Sequence, residues 1–178
     1  MAKKSEVKRT QSPPVIIALG SNLGNPRQFI CDAMKRLEKL STAPLLKSSL
    51  WLTSPVDCPP QSPKFVNAVV VLVPPADETP ESLLEKTQAL EAEFGRTLGK
   101  ASNAPRPLDL DLIAFGNETR ATPKLQLPHP RAHKRRFVLQ PLNEILGDLV
   151  LPGQTESVSD LLMKLPDASS LEWLSSPI

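Results

Sequence analysis

The sequence predicts an α+β protein, an antiparallel sheet with helices packed on it, from three observations. Short apolar runs rich in valine and isoleucine alternate with stretches of helical periodicity in the order β-α-β-β-α-β. Two of the helical stretches open on a capping residue followed by proline, Asn25-Pro26 and Thr79-Pro80. The 178 residues contain no internal repeat and no second apolar core. Residues 15–178 are therefore expected to form a single domain. Residues 1–14, dominated by lysine, serine and proline, cannot bury enough surface to order themselves and are expected to form a disordered tail.

Each element has a local reason. Residues 15–19, Val-Ile-Ile-Ala-Leu, suit a buried strand that ends at Gly20. The turn Gly20-Ser21-Asn22-Leu23-Gly24 then leads to Asn25, whose side chain can cap a helix. Phe29, Ile30, Ala33, Met34, Leu37 and Leu40 recur at helical spacing along it. Residues 48–53 read as a second strand, followed by a proline-rich loop over 55–63. Residues 65–73 form a third, valine-dense and central strand. A second helix opens at Thr79-Pro80, turns Leu83, Leu84, Leu90 and Phe94 to one face, and closes at Gly95. A polar loop over 96–107 leads to a fourth strand at 108–115. Beyond it, one helix is expected over 132–145 and a weaker one over 158–165. The order matches a split-βαβ, ferredoxin-like sandwich.

Composition excludes several function classes. A net charge of +2 and an aromatic content of 4% do not make a nucleic-acid surface. No apolar run reaches the roughly 18 residues that span a membrane, and the N-terminal stretch lacks an apolar signal core. Cys31 and Cys58 have neither CxxC nor metal-ligand spacing, so a reducing cytoplasm is the expected compartment.

The most informative stretch is Pro105-Arg106-Pro107-Leu108-Asp109-Leu110-Asp111-Leu112. Alternation along a strand turns Asp109 and Asp111 to one face, about 6–7 Å apart at the backbone. Two carboxylates side by side repel, and aspartate is disfavoured in strands. Either this is the solvent face of an amphipathic strand, or a hard cation offsets the repulsion. Arg106, three residues before Asp109 and held extended by Pro107, favours the second reading, since metal and guanidinium together neutralise phosphoryl oxygens. On the third strand Phe65 and Asn67 share a face, opposite Val66, Ala68 and Val70. An aromatic ring beside an amide can stack a heterocycle and read its edge, although Phe65 is equally explained as core. His129 and His133 are four apart, but Pro128 and Pro130 flank His129 and break the helical geometry a zinc pair would need. Gly20 to Gly24 lacks the Lys-Ser/Thr of a P-loop, and Gly95-Arg96-Thr97-Leu98-Gly99-Lys100 follows a helix, with Ala101 where the hydroxyl belongs.

Five ordered motifs together resemble a known family. They are residues 17–24 (Ile-Ala-Leu-Gly-Ser-Asn-Leu-Gly), Phe65-Val66-Asn67-Ala68-Val69, Gly95-Arg96, Pro105 through Asp111, and Pro128-His129-Pro130 with Arg135 and Phe137-Val138-Leu139. In that order, over residues 15–150, they resemble the 6-hydroxymethyl-7,8-dihydropterin pyrophosphokinases of the folate pathway. The resemblance implies a ferredoxin-like fold and transfer of diphosphate from ATP to the pterin alcohol, giving AMP and the pterin diphosphate. It implies two Mg2+ ions held by Asp109 and Asp111, with Arg96 and Arg106 closing over the reacting phosphates. Thr53, Ser54, Val56, Phe65, Asn67 and Phe137 would bind the pterin. Gln88, Glu91, Arg96, Arg106, Leu112, Lys124, His129 and Arg135 would bind ATP. The expected partners are these two small molecules, with no nucleic acid and no membrane, and the expected state is a monomer. The chain departs from the family's usual pattern at Leu98, Ser102, Asn103 and Pro107, all in or beside the arginine-bearing loop. Two other readings of the same residues are a metal-dependent phosphohydrolase, which would need a general base near the carboxylates, and a binding module of the same fold without activity.

Overall fold

A computed structural model of the chain describes residues 12–55, 60–96, 104–166 and 171–177. The order is β1 (Val15–Ser21), α1 (Pro26–Glu38), β2 (Leu46–Lys47), β3 (Leu50–Thr53), β4 (Phe65–Leu72), α2 (Pro80–Glu93), β5 (Asp109–Phe115), β6 (Arg120–Ala121), β7 (Gln126–Leu127), α3 (Arg136–Leu146), α4 (Val158–Lys164) and β8 (Leu171–Ser175). The main sheet runs β5-β1-β4-β3-β8, with β2 also on β4, and every pairing is antiparallel. This is the ferredoxin-like order with one strand added at the β3 edge. Val56, Cys58, Leu98, Ser102, Asn103 and the first eleven residues lie outside the described residues.

The helices start where their caps place them. The Asn25 side chain accepts from the Gln28 amide at 3.3 Å, and Thr79 Oγ1 accepts from the Ser82 amide at 3.1 Å. Gly95, at φ +89, ends α2 in the left-handed region that glycine enters without strain. The valine-rich strands then divide their side chains between two layers. Ile17, Leu19, Val66, Ala68, Val70, Leu108, Leu110 and Leu112 pack beneath α1 and α2. Ile16, Ala18, Val69, Val71 and Ile113 pack beneath Val138, Leu139 and Leu142 of α3. At roughly 1.5–3 kcal/mol for each large side chain buried, both layers are needed to offset chain entropy.

Two expectations need correction, and two further elements carried no signal in the sequence. The second strand is split: Ser48 and Ser49 interrupt it, the Ser48 hydroxyl accepting from the Val69 amide at 2.9 Å and the Ser49 hydroxyl donating to Glu144 at 2.6 Å. The helix expected over 132–145 is a 3-10 turn, Ala132–Lys134, then α3 from Arg136, because Arg135 between them is extended (φ −112, ψ 109). The β6/β7 ribbon, two residues per strand, is too short to leave a periodic signal. β8 completes the sheet beside β3, with Trp173 opposite Trp51.

Candidate active site

α3 covers only part of its sheet face, and the uncovered rows form the site. Across the sheet, Asp109, Gly20, Asn67 and Trp51 stand opposite one another in a single row, and Asp111, Ala18 and Val69 form the next. Beyond the start of α3 the floor is therefore Gly20, flanked by Asp109 and Asn67. A cavity of about 120 Å³ opens there. It is lined by Ala18, Leu19, Gly20, Thr53, Ser54, Phe65, Asn67, Arg106, Asp109, Asp111, Arg135 and Phe137.

Each wall has a local cause. Phe65 rises from the first residue of β4 and Phe137 from the first turn of α3, so rings from two layers face the same space. Asn67 is buried, and its amide donates to Thr53 Oγ1 at 2.6 Å. That bond orients the amide and leaves its carbonyl oxygen beside Gly20. The Arg135 guanidinium lies 5.4 Å from the Phe137 ring centroid, a cation–π stack.

The carboxylates are met by guanidinium groups. Arg96 donates to Asp109 Oδ1 at 2.7 Å, Arg106 donates to Asp109 Oδ2 at 3.2 Å, and Arg135 stands 3.9 Å from Asp111 Oδ2. Desolvation and then the neighbouring Asp109 push Asp111 above the usual carboxylate range, against the pull of Arg135. Its side chain remains 39% exposed, so it stays accessible to a ligand. Two carboxylates on adjacent rows, with hard oxygen donors and open space before them, fit Mg2+, which takes few protein ligands and fills its shell with water and phosphate. Among the described residues no group of three His, Cys, Asp or Glu side chains gathers into a closed metal cage.

Glu91 backs this arrangement from α2. It accepts from the Leu110 amide at 2.6 Å, capping the open edge of β5, and also takes the Arg96 guanidinium. Burial pushes its carboxyl up to about 7, against the lowering influence of the Leu110 amide and Arg96.

A second cavity, of about 260 Å³, continues past Asp111 along Leu84, Leu112, Lys124, Gln126, His129 and Arg131. Leu112, Lys124 and His129, named together from the sequence, line this space. His129 Nδ1 accepts from the Arg131 amide at 3.2 Å. Burial, then Arg135 and Arg131, lower His129 to about 4, so the ring is neutral. Gln88 is exposed on α2 and lines neither cavity. Sequence reasoning missed Gly20 as the floor, Arg131 in the second cavity and Asn22 behind Arg106. For Gly20 and Asn22 the signal was the turn Gly20-Ser21-Asn22, read only as a strand-to-helix connection.

The fold and these paired cavities define a phosphotransferase-like α+β protein, with a flat aromatic slot on one side of an acidic pair and a basic groove on the other. Residues 16–147 match the family model described as 7,8-dihydro-6-hydroxymethylpterin-pyrophosphokinase (HPPK), and the chain belongs to that family. It is 36% identical over 151 residues to a 2-amino-4-hydroxy-6-hydroxymethyldihydropteridine pyrophosphokinase of Haemophilus influenzae, covering 85% of this chain and 92% of the relative. It is 38% identical over 153 residues to the folic acid synthesis protein fol1 of Pneumocystis carinii, covering 86% of this chain but only 20% of that longer protein. A crystal structure of a Plasmodium falciparum HPPK-DHPS triple mutant with pteroate superposes at a TM-score of 0.67 and 13% identity. That superposition covers 89% of this chain and 44% of that one, and supports the fold alone.

Proposed function

We propose that the chain transfers the diphosphate of ATP to 6-hydroxymethyl-7,8-dihydropterin, giving AMP and the pterin diphosphate for tetrahydrofolate synthesis. Membership of the pyrophosphokinase family supplies the reaction class, an ATP-dependent diphosphotransfer. The observation that carries the assignment of residues is the placement of Asp109 and Asp111 between the Phe65/Phe137 slot and the groove of Leu112, Lys124 and His129. A hydroxyl held in the slot would lie beside the carboxylates, and a triphosphate in the groove would reach them from the other side. The hydroxyl oxygen attacks the β-phosphorus, the bond from that phosphorus to the α–β bridging oxygen breaks with its electrons leaving on AMP, and the hydroxyl proton passes to solvent.

The residues of this chain bind and orient. Phe65 and Phe137 sandwich the pterin ring, and Asn67, fixed by Thr53, reads its polar edge with Ser54 alongside. Val56 belongs to the same assignment by its place in the sequence. Lys124, His129, Arg135, Leu112, Gln88 and Glu91 are assigned to ATP. Arg96 and Arg106 turn toward the transferring phosphates, where positioning and charge neutralisation supply most of the catalysis. Asp109 and Asp111 would hold two Mg2+ ions, which when bound neutralise the charge of the reacting phosphates. Residues 15–178 act as one domain, as a cytoplasmic monomer; among the described residues no helix is long and apolar enough to cross a membrane.

The test is AMP formation by purified protein supplied with ATP, magnesium and hydroxymethyldihydropterin, beside Asp109→Ala and Asp111→Ala. Pterin-dependent AMP that disappears in both variants supports the assignment. Phosphate released from ATP without pterin would replace it with a phosphohydrolase. Pterin binding without AMP would replace it with a binding module.

A further inference from the structure

In Pro105-Arg106-Pro107 two of three residues lack a backbone N–H, so the Arg106 amide is the only donor in that stretch. Asn22, 84 residues away in sequence, takes it: Asn22 Oδ1 accepts from the Arg106 amide at 2.9 Å. The Asn22 amide donates in return to the Arg106 carbonyl at 3.2 Å. The remaining arm, Asn22 Nδ2, donates to the Pro63 carbonyl at 3.4 Å, a longer contact, in the proline-rich loop that precedes Phe65. Asn22 itself is 3% exposed. A buried amide with both ends engaged is a fixed bracket, because any movement that breaks one end strands a polar group away from water.

The two segments held by this bracket lead to opposite sides of the site. Arg106 carries a guanidinium to Asp109. Pro63 is two residues from Phe65, which lines the aromatic slot. Asn22 lines neither of the two cavities.

We propose that Asn22 is a positioning residue that sets the Arg106 backbone against the acidic pair and ties it to Pro63, two residues before Phe65 of the aromatic slot. The proposal rests on the pyrophosphokinase reading for its kinetic consequences, but its structural part stands without it. Through this bracket, displacement of the proline-rich loop reaches Arg106, and ordering of Arg106 reaches the slot.

The experiment uses Asn22→Ala and Asn22→Asp in the full chain, with melting curves to give the folded fraction. Hydrogen exchange is followed at the Arg106 amide, the only exchanging backbone site between Pro105 and Pro107. In Asn22→Ala the Arg106 amide is expected to exchange faster, kcat to fall on the order of 10–100-fold, as misplacement of a charge-neutralising group does, and both substrate KM values to rise. Asn22→Asp keeps the acceptor and loses the donor. It is expected to retain Arg106 protection, with the defect confined to the pterin KM. Arg106 exchange unchanged in the alanine variant overturns the bracket. A kcat that falls only with the folded fraction overturns positioning in favour of a purely structural role. A wild-type protein that forms no pterin-dependent AMP would remove the pyrophosphokinase reading, while the exchange comparison would still decide the bracket.

Discussion

Gly20→Ala tests whether the floor of the aromatic slot is the pterin site. Gly20 is paired with Asp109 on one side and Asn67 on the other, and it does not occupy the positive-φ region, so alanine adds no backbone strain. The added methyl would stand 3.2 Å from Asn67 Oδ1 and 3.8 Å from Phe65 Cδ1. The first contact is tight enough that Asn67 must yield by a few tenths of an ångström. It cannot do so freely, since its amide is held by Thr53 at 2.6 Å. Overpacking of this kind costs about 1–3 kcal/mol. If about 1.4 kcal/mol of that appears in pterin binding, the pterin KM rises about tenfold. The groove of Leu112, Lys124 and His129 does not include Gly20, so the ATP KM should stay at the wild-type value. Initial rates of AMP formation, with each substrate varied in turn, read both constants, and a melting curve verifies the fold. An unchanged pterin KM in a variant that melts like the wild type would refute the assignment of the slot. A rise in the ATP KM alone would exchange the roles of the two cavities.

Lys124→Ala should give the reverse pattern, raising the ATP KM several-fold and leaving the pterin KM unchanged in the same assay, since Lys124 lines only the second cavity. Glu144→Ala should destabilise by about 1–3 kcal/mol, because it strands the Ser49 amide and hydroxyl that tie α3 to β3; thermal melting, at about 2–4 °C per kcal/mol, measures it. His129 supplies a pH dependence. Its folded value of about 4 lies below the ordinary 6.5, so the unfolded chain binds a proton the folded one does not, and stability falls as pH drops through that window. Melting curves of wild type against His129→Asn should therefore diverge on acidification between those values, and parallel curves would show the ring is not held neutral.

The sequence made legible what depends on local periodicity and on charge in an unexpected place. Alternation put Asp109 and Asp111 on one face and Phe65 and Asn67 on one face of their own strand, and the valines of β4 marked it as central; that the two faces are the same side of the sheet came from the register. The two cap-proline pairs located the starts of α1 and α2. What stayed hidden depends on partners distant in sequence. β8 reads Leu-Glu-Trp-Leu-Ser and, among the described strands, pairs only with β3, so its strand character comes from the neighbour and not from its own pattern. The break at Ser48 and Ser49 exists because Val69 and Glu144 take their hydroxyls, and neither partner is near in sequence. Asn22 looked like a turn residue until Arg106 was found across from it.

The guanidinium groups explain how two carboxylates can stand side by side at this part-exposed end of the sheet. Asp109 and Asp111 bring two negative charges to adjacent rows, and Arg96, Arg106 and Arg135 surround them. The carboxylates would repel each other across adjacent rows, and the arginines offset that repulsion. The same contacts constrain function. Asp109 accepts from Arg96 at Oδ1 and from Arg106 at Oδ2, and because each carboxylate oxygen keeps a second lone pair, a cation there would compete with these guanidinium groups for its charge without having to displace either. A guanidinium that loses that charge in a half-buried site needs a new anion within reach. Arg96 also holds Glu91, and Arg106 is carried by a backbone bonded to Asn22. Under the proposed reading, a polyphosphate reaching Asp111 would supply that anion, and the cation and the phosphates would then bind through a shared exchange of partners. A fixed Arg106 backbone with a side chain able to change partners would let one residue both pair with Asp109 and reach the transferring phosphates.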